Sequence, residues 1–205
     1  MEAEYSSETE QRIIEAATKI FVEKGRTGTS MQDIADEAGI NRTLLNYYFR
    51  SKEKLFDLIF EKVFLRFIPE IAQLMTSEEP LKIKFDRFID RYTAILLSSP
   101  LTPIFILHEL AHSPEKLVET IKSKGIDPEL TIFQIEKEME MGHVIKADPR
   151  QLLVSLLSLI IFPFAAKPII KPLILGEDES EFKRFIEERK EFIKRTFLTS
   201  IIQES

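Results

Sequence analysis

The stretch TSMQDIADEAGINRTLLNYYFRSKEKLF, residues 29–56, decides how this chain is read. Ser30 is a helix-capping residue, and Asp33, three positions on, supplies the second half of a capping box. Ile34, Ala35 and Ala38 then form one apolar side, and Gly39 ends the helix. Asn41 is an N-cap for another helix running through Phe49, and Ser51 caps the next from Lys52. Upstream, Ile13, Ala16, Ala17, Ile20 and Phe21 recur at helical spacing, with Gly25 where a C′ residue belongs. The spacing predicts helices at about 8–24, 31–38, 42–49 and from 52 onward.

Two short helices joined by a glycine turn, MQDIADEAG and INRTLLNYYF, have the length and turn chemistry of a helix-turn-helix. On the later helix Leu45, Tyr48 and Phe49 share one side and are expected to seal a small core. Thr43, Asn46 and Tyr47 lie on the other, with Arg42 at its edge. That outward set suits a DNA groove. Arg42 can reach a guanine edge with two hydrogen bonds, Asn46 can do the same for adenine, and Leu44 can touch a thymine methyl. Thr43 can serve base or phosphate. Tyr47 and Lys52 suit phosphates, and Thr29 and Ser30, at the N-terminus of the second helix, can add another backbone contact. A three-helix packing unit with a merely polar surface fits the same periodicity.

Charge bears on that choice. The chain carries a formal net charge of −6 and a sequence pI near 5.3. Taken whole, this argues against nucleic acid, because DNA binding needs Lys and Arg to displace counterions. Distribution overrides the total: Arg42, Arg50, Lys52 and Lys54 face only Glu53, with Asp57 just beyond. There are no cysteines, which excludes disulfides, Cys-ligated zinc and thiol catalysis and fits a reducing compartment. MEAEYSSETE lacks a basic start and an apolar core, so no secretory signal is expected and the cytoplasm is the expected location. The longest apolar run, LLVSLLSLIIFPFAA at 152–166, falls short of the roughly 20 residues that cross a bilayer. It reads as a buried or interface helix, with no membrane partner.

Helical signals dominate the rest, without strand alternation, so the fold class is all-α: an N-terminal three-helix helix-turn-helix unit, then a C-terminal bundle of about five helices that dimerises. The expected domains are 1–55, with the helix-turn-helix at about 30–50, and 56–205. The helix from Lys52 is apolar around much of its circumference, and Pro69 should kink or end it. Pro80, Pro100, Pro114, Pro128 and Pro149 each sit at or near a helix start. PFAAKPIIKPLILGEDES, 163–180, with its three prolines, reads as a loop before the last helix. In that helix Phe182, Phe185, Ile186, Phe192, Ile193, Phe197 and Ile201 form a stripe. With the helix at 150–163, the segment 181–202 is a candidate homodimer interface, although ordinary core would show the same pattern.

Residues 29–56, extended back through IIEAATKIFVEKG at 13–25, resemble the N-terminal signature of the tetracycline-repressor (TetR) family of bacterial transcription regulators. The resemblance rests on the Thr29-Ser30 pair, I-A-x-x-A-G, the Tyr-Phe end of the reading helix and the following Ser-Lys-x-x-Leu. It implies a homodimeric, non-enzymatic DNA-binding regulator, most simply a repressor, on a pseudo-palindromic operator. It further implies release by a small-molecule effector held among the C-terminal helices, with no cofactor. The departures are Leu44 and Asn46, where the family often has Thr and an aromatic, and Arg26 after Gly25, where an aromatic is usual.

A competing chemistry is written in HELAH, 108–112. H-E-x-x-H can place two imidazoles and a carboxylate on one helix face for zinc hydrolysis, with His108 and His112 as ligands and Glu109 as base. The longer pattern's glycine and third histidine are replaced by Glu115 and Val118. His143 is the remaining histidine, and Ile104, Leu107, Leu110 and Ala111 are expected to be spent on packing. The favoured reading is therefore packing within the second domain, without metal. Phe105, His108 and His112 lining the effector pocket is the next, since such pockets are apolar with a few placed polar groups.

Overall fold

Gly25 sits at φ 68°, ψ 173°, a left-handed backbone setting that a Cβ would strain, and there the first helical run breaks its regular geometry. The run is α1, Glu2–Gly28. The computed structural model describes residues 2–61, 65, 68–98, 102–112 and 114–203; the side chains of 2–7, 102, 105, 108, 109, 112 and 116 lie outside that description. Two compact units form, one of residues 1–66 with 104–112, the other of 67–103 with 113–205. Among the described residues there is no strand, only an isolated antiparallel bridge between Val144 and Ile202.

In the first unit α1 is followed by α2 (Met31–Glu37), α3 (Arg42–Tyr48) and α4 (Lys52–Ile59). Helices this short do not hold themselves in water, so their stability comes from packing an apolar face. Ile13, Ala17 and Phe21 of α1, Ile34 and Ala35 of α2, Leu45 of α3 and Leu55, Phe56 and Ile59 of α4 are all essentially inaccessible. Phe21 meets Phe56 edge-to-face at 5.0 Å, a favoured aromatic geometry. Arg26, which departs from the aromatic usual in the resembled family, lays its guanidinium 4.9 Å over the same Phe56 ring in a cation–π contact. Salt bridges Lys19–Glu37 and Lys24–Asp33 tie α1 to α2 at the surface.

The helix from Lys52 was expected to run on to Pro69. It is shorter: α4 gives way to a π-type turn at 60–61, the backbone bends at Leu65, and Pro69 lies in the first turn of a separate helix, α5 (Ile68–Thr76). Proline lacks the N–H that a first turn leaves unused, so this is a position it tolerates without cost.

The second unit adds α6 (Leu81–Ser98), α8 (Pro114–Ser123), α9 (Pro128–Glu140) and α10 (Pro149–Ala165), with α7 (Thr102–His112) between α6 and α8 in sequence. Pro114, Pro128 and Pro149 are each the first residue of a helix and Pro80 immediately precedes one; Pro100 lies outside the described residues. The core gathers Phe85, Ile89 and Leu96 of α6, Ile135 and Met139 of α9, and Leu152, Leu156, Ile160 and Phe164 of α10. The last four fall four residues apart and mark one face of α10.

Residues 163–180 are a correction. Instead of a loop, Pro163 lies inside α10, a short helix α11 spans Lys167–Ile170, and a π-type turn covers Lys171–Leu175, leaving only a few residues before α12 (Glu179–Ile193). The reason is a contact from α12. A proline inside a helix removes one donor and leaves the carbonyl four residues earlier without its partner. That carbonyl is Leu159, and the Arg189 side chain of α12 donates to it at 2.9 Å. Pro168, in turn, falls in the first turn of α11, and Pro172 in that of the π-type turn.

The last helix departs from its expected stripe in a similar way. After α12 a π-type turn, Lys194–Leu198, inserts one residue before α13 (Thr199–Ile201). The buried side therefore runs Phe182, Ile186, Ile193, then Leu198 and Ile201, with Leu198 taking the place expected of Phe197. Phe185 and Phe197 are half-buried and Phe192 is exposed.

Two buried or half-buried cations brace this unit. Lys84 is 1 % exposed and donates to the Met75 carbonyl at 2.8 Å and to Gln134 Oε1 at 2.6 Å, which caps the end of α5 and ties it to α6 and α9. Burial pushes its pKa down. Lys194 in the π-type turn bonds Asp90 at 2.7 Å and Asp86 at 3.2 Å; burial opposes its charge, but those carboxylates hold its pKa above the usual lysine value.

Candidate nucleic-acid interface

α3 is seven residues long and is held at both ends by the chain's own polar groups. Asn41 Oδ1 accepts from the Leu44 amide at 2.8 Å and fixes the helix entry. At the exit the Phe49 amide reaches the Leu45 carbonyl at 2.8 Å. Leu45 and Phe49 are buried and Tyr48 is half-buried. The seal side predicted from periodicity is thus the side that packs.

The opposite side is open. Arg42, Thr43, Leu44, Asn46 and Tyr47 are all exposed, Tyr47 to 81 % and Leu44 to 37 %. Among the described residues, no hydrogen bond or ion pair occupies the side chains of Arg42, Thr43 or Asn46. Tyr47 meets its neighbour Tyr48 edge-to-face at 5.5 Å. A short helix thus presents one guanidinium, one amide, one hydroxyl and one phenol outward from a packed base. These are groups that read base edges and grip phosphates.

Around α3 the supports are polar and local. Ser30 accepts from the Asp33 amide at 3.1 Å while Asp33 accepts from the Ser30 amide at 2.8 Å, so the capping box is closed. Hydrogen bonds from Lys24 and then Ser30 hold the Asp33 carboxyl well below the ordinary carboxylate range. Ser51 accepts from the Lys54 amide at 3.2 Å and caps α4. Gly39, at φ 63°, turns the chain between α2 and α3.

Two expected site residues do other work. Thr29 is a correction: it is 3 % exposed and its hydroxyl donates to the Gly25 carbonyl at 2.7 Å, so its side chain braces the α1–α2 corner. Lys52 is half-buried and donates to the Thr29 carbonyl at 2.9 Å, which joins the start of α4 to the same corner. The Lys52 partner could not be read from helical spacing, since that bond spans 23 residues.

HELAH falls on α7 as a helix, but the side chains of Phe105, His108, Glu109 and His112 are outside the described ones, and with them the expected effector-pocket set. Leu107 and Leu110 are 44 % and 46 % exposed and Ala111 is exposed, so the packing expected of them is not made. α7 is apolar on most sides, and such a pattern marks no single inner face. Among the described residues no three His, Asp or Glu side chains are placed to hold a metal. His143 pairs instead with Glu138, Nδ1 to Oε2 2.8 Å. The hydrolase alternative gains no support.

An exposed reading helix on a capped three-helix base defines a helix-turn-helix DNA-binding transcription regulator. Residues 13–59 match the family described as bacterial regulatory proteins, tetR family. It is 25 % identical, over 93 % of its length and 95 % of the relative's, to the Bacillus subtilis (strain 168) protein YttP, named a probable HTH-type transcriptional regulator. It is 36 % identical over 72 residues, 35 % of this chain and 34 % of the other, to the HTH-type transcriptional repressor NicS of Pseudomonas putida. In fold it is similar to HlyIIR, a hemolysin II transcriptional regulator, with TM-score 0.66 and 22 % identity over 97 % of this chain and 99 % of that one. Among the described residues no single helix is long and apolar enough to cross a membrane.

Proposed function

We propose that this regulator is a repressor that binds a pseudo-palindromic operator as a homodimer and leaves it when a small molecule occupies the C-terminal unit. The observation that carries the reading is the open face of α3, where Arg42, Thr43, Leu44, Asn46 and Tyr47 are exposed together over buried Leu45. Arg42 and Asn46 take the guanine and adenine edges, Leu44 a thymine methyl, Thr43 a base or phosphate, and Tyr47 and Ser30 the phosphates. Lys52 keeps donors beyond the one that holds Thr29 and turns them to the backbone.

One seven-residue helix reads only a few base pairs, so two copies on adjacent major-groove faces supply the specificity, and the operator's symmetry mirrors the protein's. Dimerisation through α10 and α12 is supported by Val154 and Phe162, 59 % and 62 % exposed on the side of α10 away from buried Leu156 and Ile160. The effector acts by linkage. It weakens DNA binding only as far as it prefers the DNA-incompetent form.

Fluorescence anisotropy against duplexes tiled across the DNA upstream of the gene, at two salt concentrations with random duplex as competitor, tests this. The expected result is salt-sensitive binding to one pseudo-palindromic tile about 1,000-fold tighter than to random duplex. Binding no tighter than to random duplex on every tile would sink the operator reading.

A further inference from the structure

We propose that Lys52 is a positioning residue for base reading: its bond to the Thr29 carbonyl closes the loop that carries α3, and discrimination between DNA sequences depends on that tie. The inference rests on the assignment of α3 as the reading helix and adds to it a residue that touches no base. The bond runs from Lys52 Nζ, on the first residue of α4, to the carbonyl just ahead of α2, at 2.9 Å. Everything between its two ends is the helix-turn-helix: α2, the Gly39 turn and α3.

Both ends of the tie are fixed from behind. The Thr29 side chain is buried and its hydroxyl donates to the Gly25 carbonyl at 2.7 Å, which holds the residue whose carbonyl Lys52 meets. Phe56 lies four residues beyond Lys52, on the same side of α4. Its ring carries the Arg26 guanidinium at 4.9 Å and meets Phe21 edge-to-face at 5.0 Å. The corner and α4 therefore hold each other twice, Lys52 reaching one way and Arg26 the other. Among the described residues no amide bonds the Thr29 carbonyl, and the Lys52 side chain makes no second hydrogen bond or ion pair.

α3 depends on this tie because little else orients it. Within its seven residues Leu45 alone is buried, and Phe49 enters the core just past its end. Two apolar anchors set how deep a short helix sits and leave its tilt about them loosely held. Paired hydrogen bonds from Arg42 and Asn46 to base edges require the correct tilt. Attraction to phosphates depends on charge and tolerates a change of tilt. Joining residues 29 and 52 removes end-to-end freedom that would otherwise pass to α3. Loss of the tie therefore harms the choice of sequence more than it harms adhesion to DNA.

Anisotropy of the full-length Lys52→Met variant, on the tile the parent binds tightest and on random duplex of equal length, tests the assignment. Affinity for random duplex should fall about 5-fold, as one phosphate contact is lost, and affinity for the tile about 50-fold, so discrimination drops about 10-fold. Lys52→Arg keeps a donor for the Thr29 carbonyl and should restore discrimination to within about threefold of the parent. Equal losses on both duplexes would make Lys52 a phosphate contact alone and overturn the positioning role. A parent that fails to discriminate would instead sink the reading-helix assignment. Hydrogen exchange gives a readout without DNA. In Lys52→Met the Leu45 and Phe49 amides, bonded to the Asn41 and Leu45 carbonyls, should exchange about 10-fold faster while α1 amides between Ile13 and Phe21 keep the parent's rates. Equal acceleration in α1 and α3 would show a general loosening of the unit and overturn the proposal.

Discussion

α3 and α10 both present a face to solvent, and they do so with opposite chemistry. α3 shows solvent a guanidinium, an amide, a hydroxyl and a phenol over a single buried leucine. α10 shows Val154 and Phe162 on the far side of Leu152, Leu156, Ile160 and Phe164. A polar face on a short helix suits a charged, hydrated groove whose sequence must be read. An apolar face on a long helix suits a surface that only has to exclude water. Under the proposed function, one chain divides the task of recognising DNA from that of finding its own copy, and the two faces can be damaged separately.

The largest blow is the same truncation made in each unit. Leu45 and Leu156 are both fully buried, and Leu45→Ala or Leu156→Ala should each cost about 2–5 kcal/mol. Thermal melts followed by circular dichroism, with operator binding and sedimentation beside them, separate the two. Leu45→Ala should lose DNA binding while remaining dimeric, and Leu156→Ala should weaken the dimer; identical effects on both readouts would erase the distinction. Arg42→Glu comes next. It should lower operator affinity about 100-fold or more with no change in melting, because the side chain is exposed and packs on nothing. An unchanged affinity would show that the open face of α3 is not the reading face.

Arg189→Met is a smaller, structural test of the bundle. It leaves the Leu159 carbonyl without a donor and should cost about 1–3 kcal/mol, read by chemical denaturation. The smallest effect is on the head's capping box. The depressed Asp33 pKa means its contribution is complete above the ordinary carboxylate pKa of about 4 and fades as pH falls below it. Asp33→Asn should therefore slightly lower stability at neutral pH and flatten the acid limb of the stability profile. An acid limb identical to the parent's would show that this carboxylate is not what titrates there.

The head was legible because its polar contacts are local. Ser30 to Asp33, Asn41 to Leu44 and Ser51 to Lys54 each span three residues, a distance that spacing rules describe. Locality fails at Lys52, which finds Thr29 across 23 residues. In the bundle the deciding contacts are distant. Lys84 reaches Gln134 across 50 residues, Arg189 reaches Leu159 across 30, and Lys194 reaches Asp90 across 104. No periodicity announces such pairs. That is why prolines at 163–172 read as a loop, and why a stripe drawn at regular helical spacing missed the extra residue in the π-type turn at 194–198.

The meeting of Pro163, Leu159 and Arg189 also keeps count along the bundle. Within a regular helix the interior carbonyls all have an amide partner, so a neighbouring helix slid by one turn would meet an equivalent backbone. The proline makes one carbonyl different from the rest, and Arg189 can satisfy it at a single offset between α10 and α12. A slip would strand a donor and an acceptor together. The residue that looks like an interruption is the notch that indexes one helix against the other.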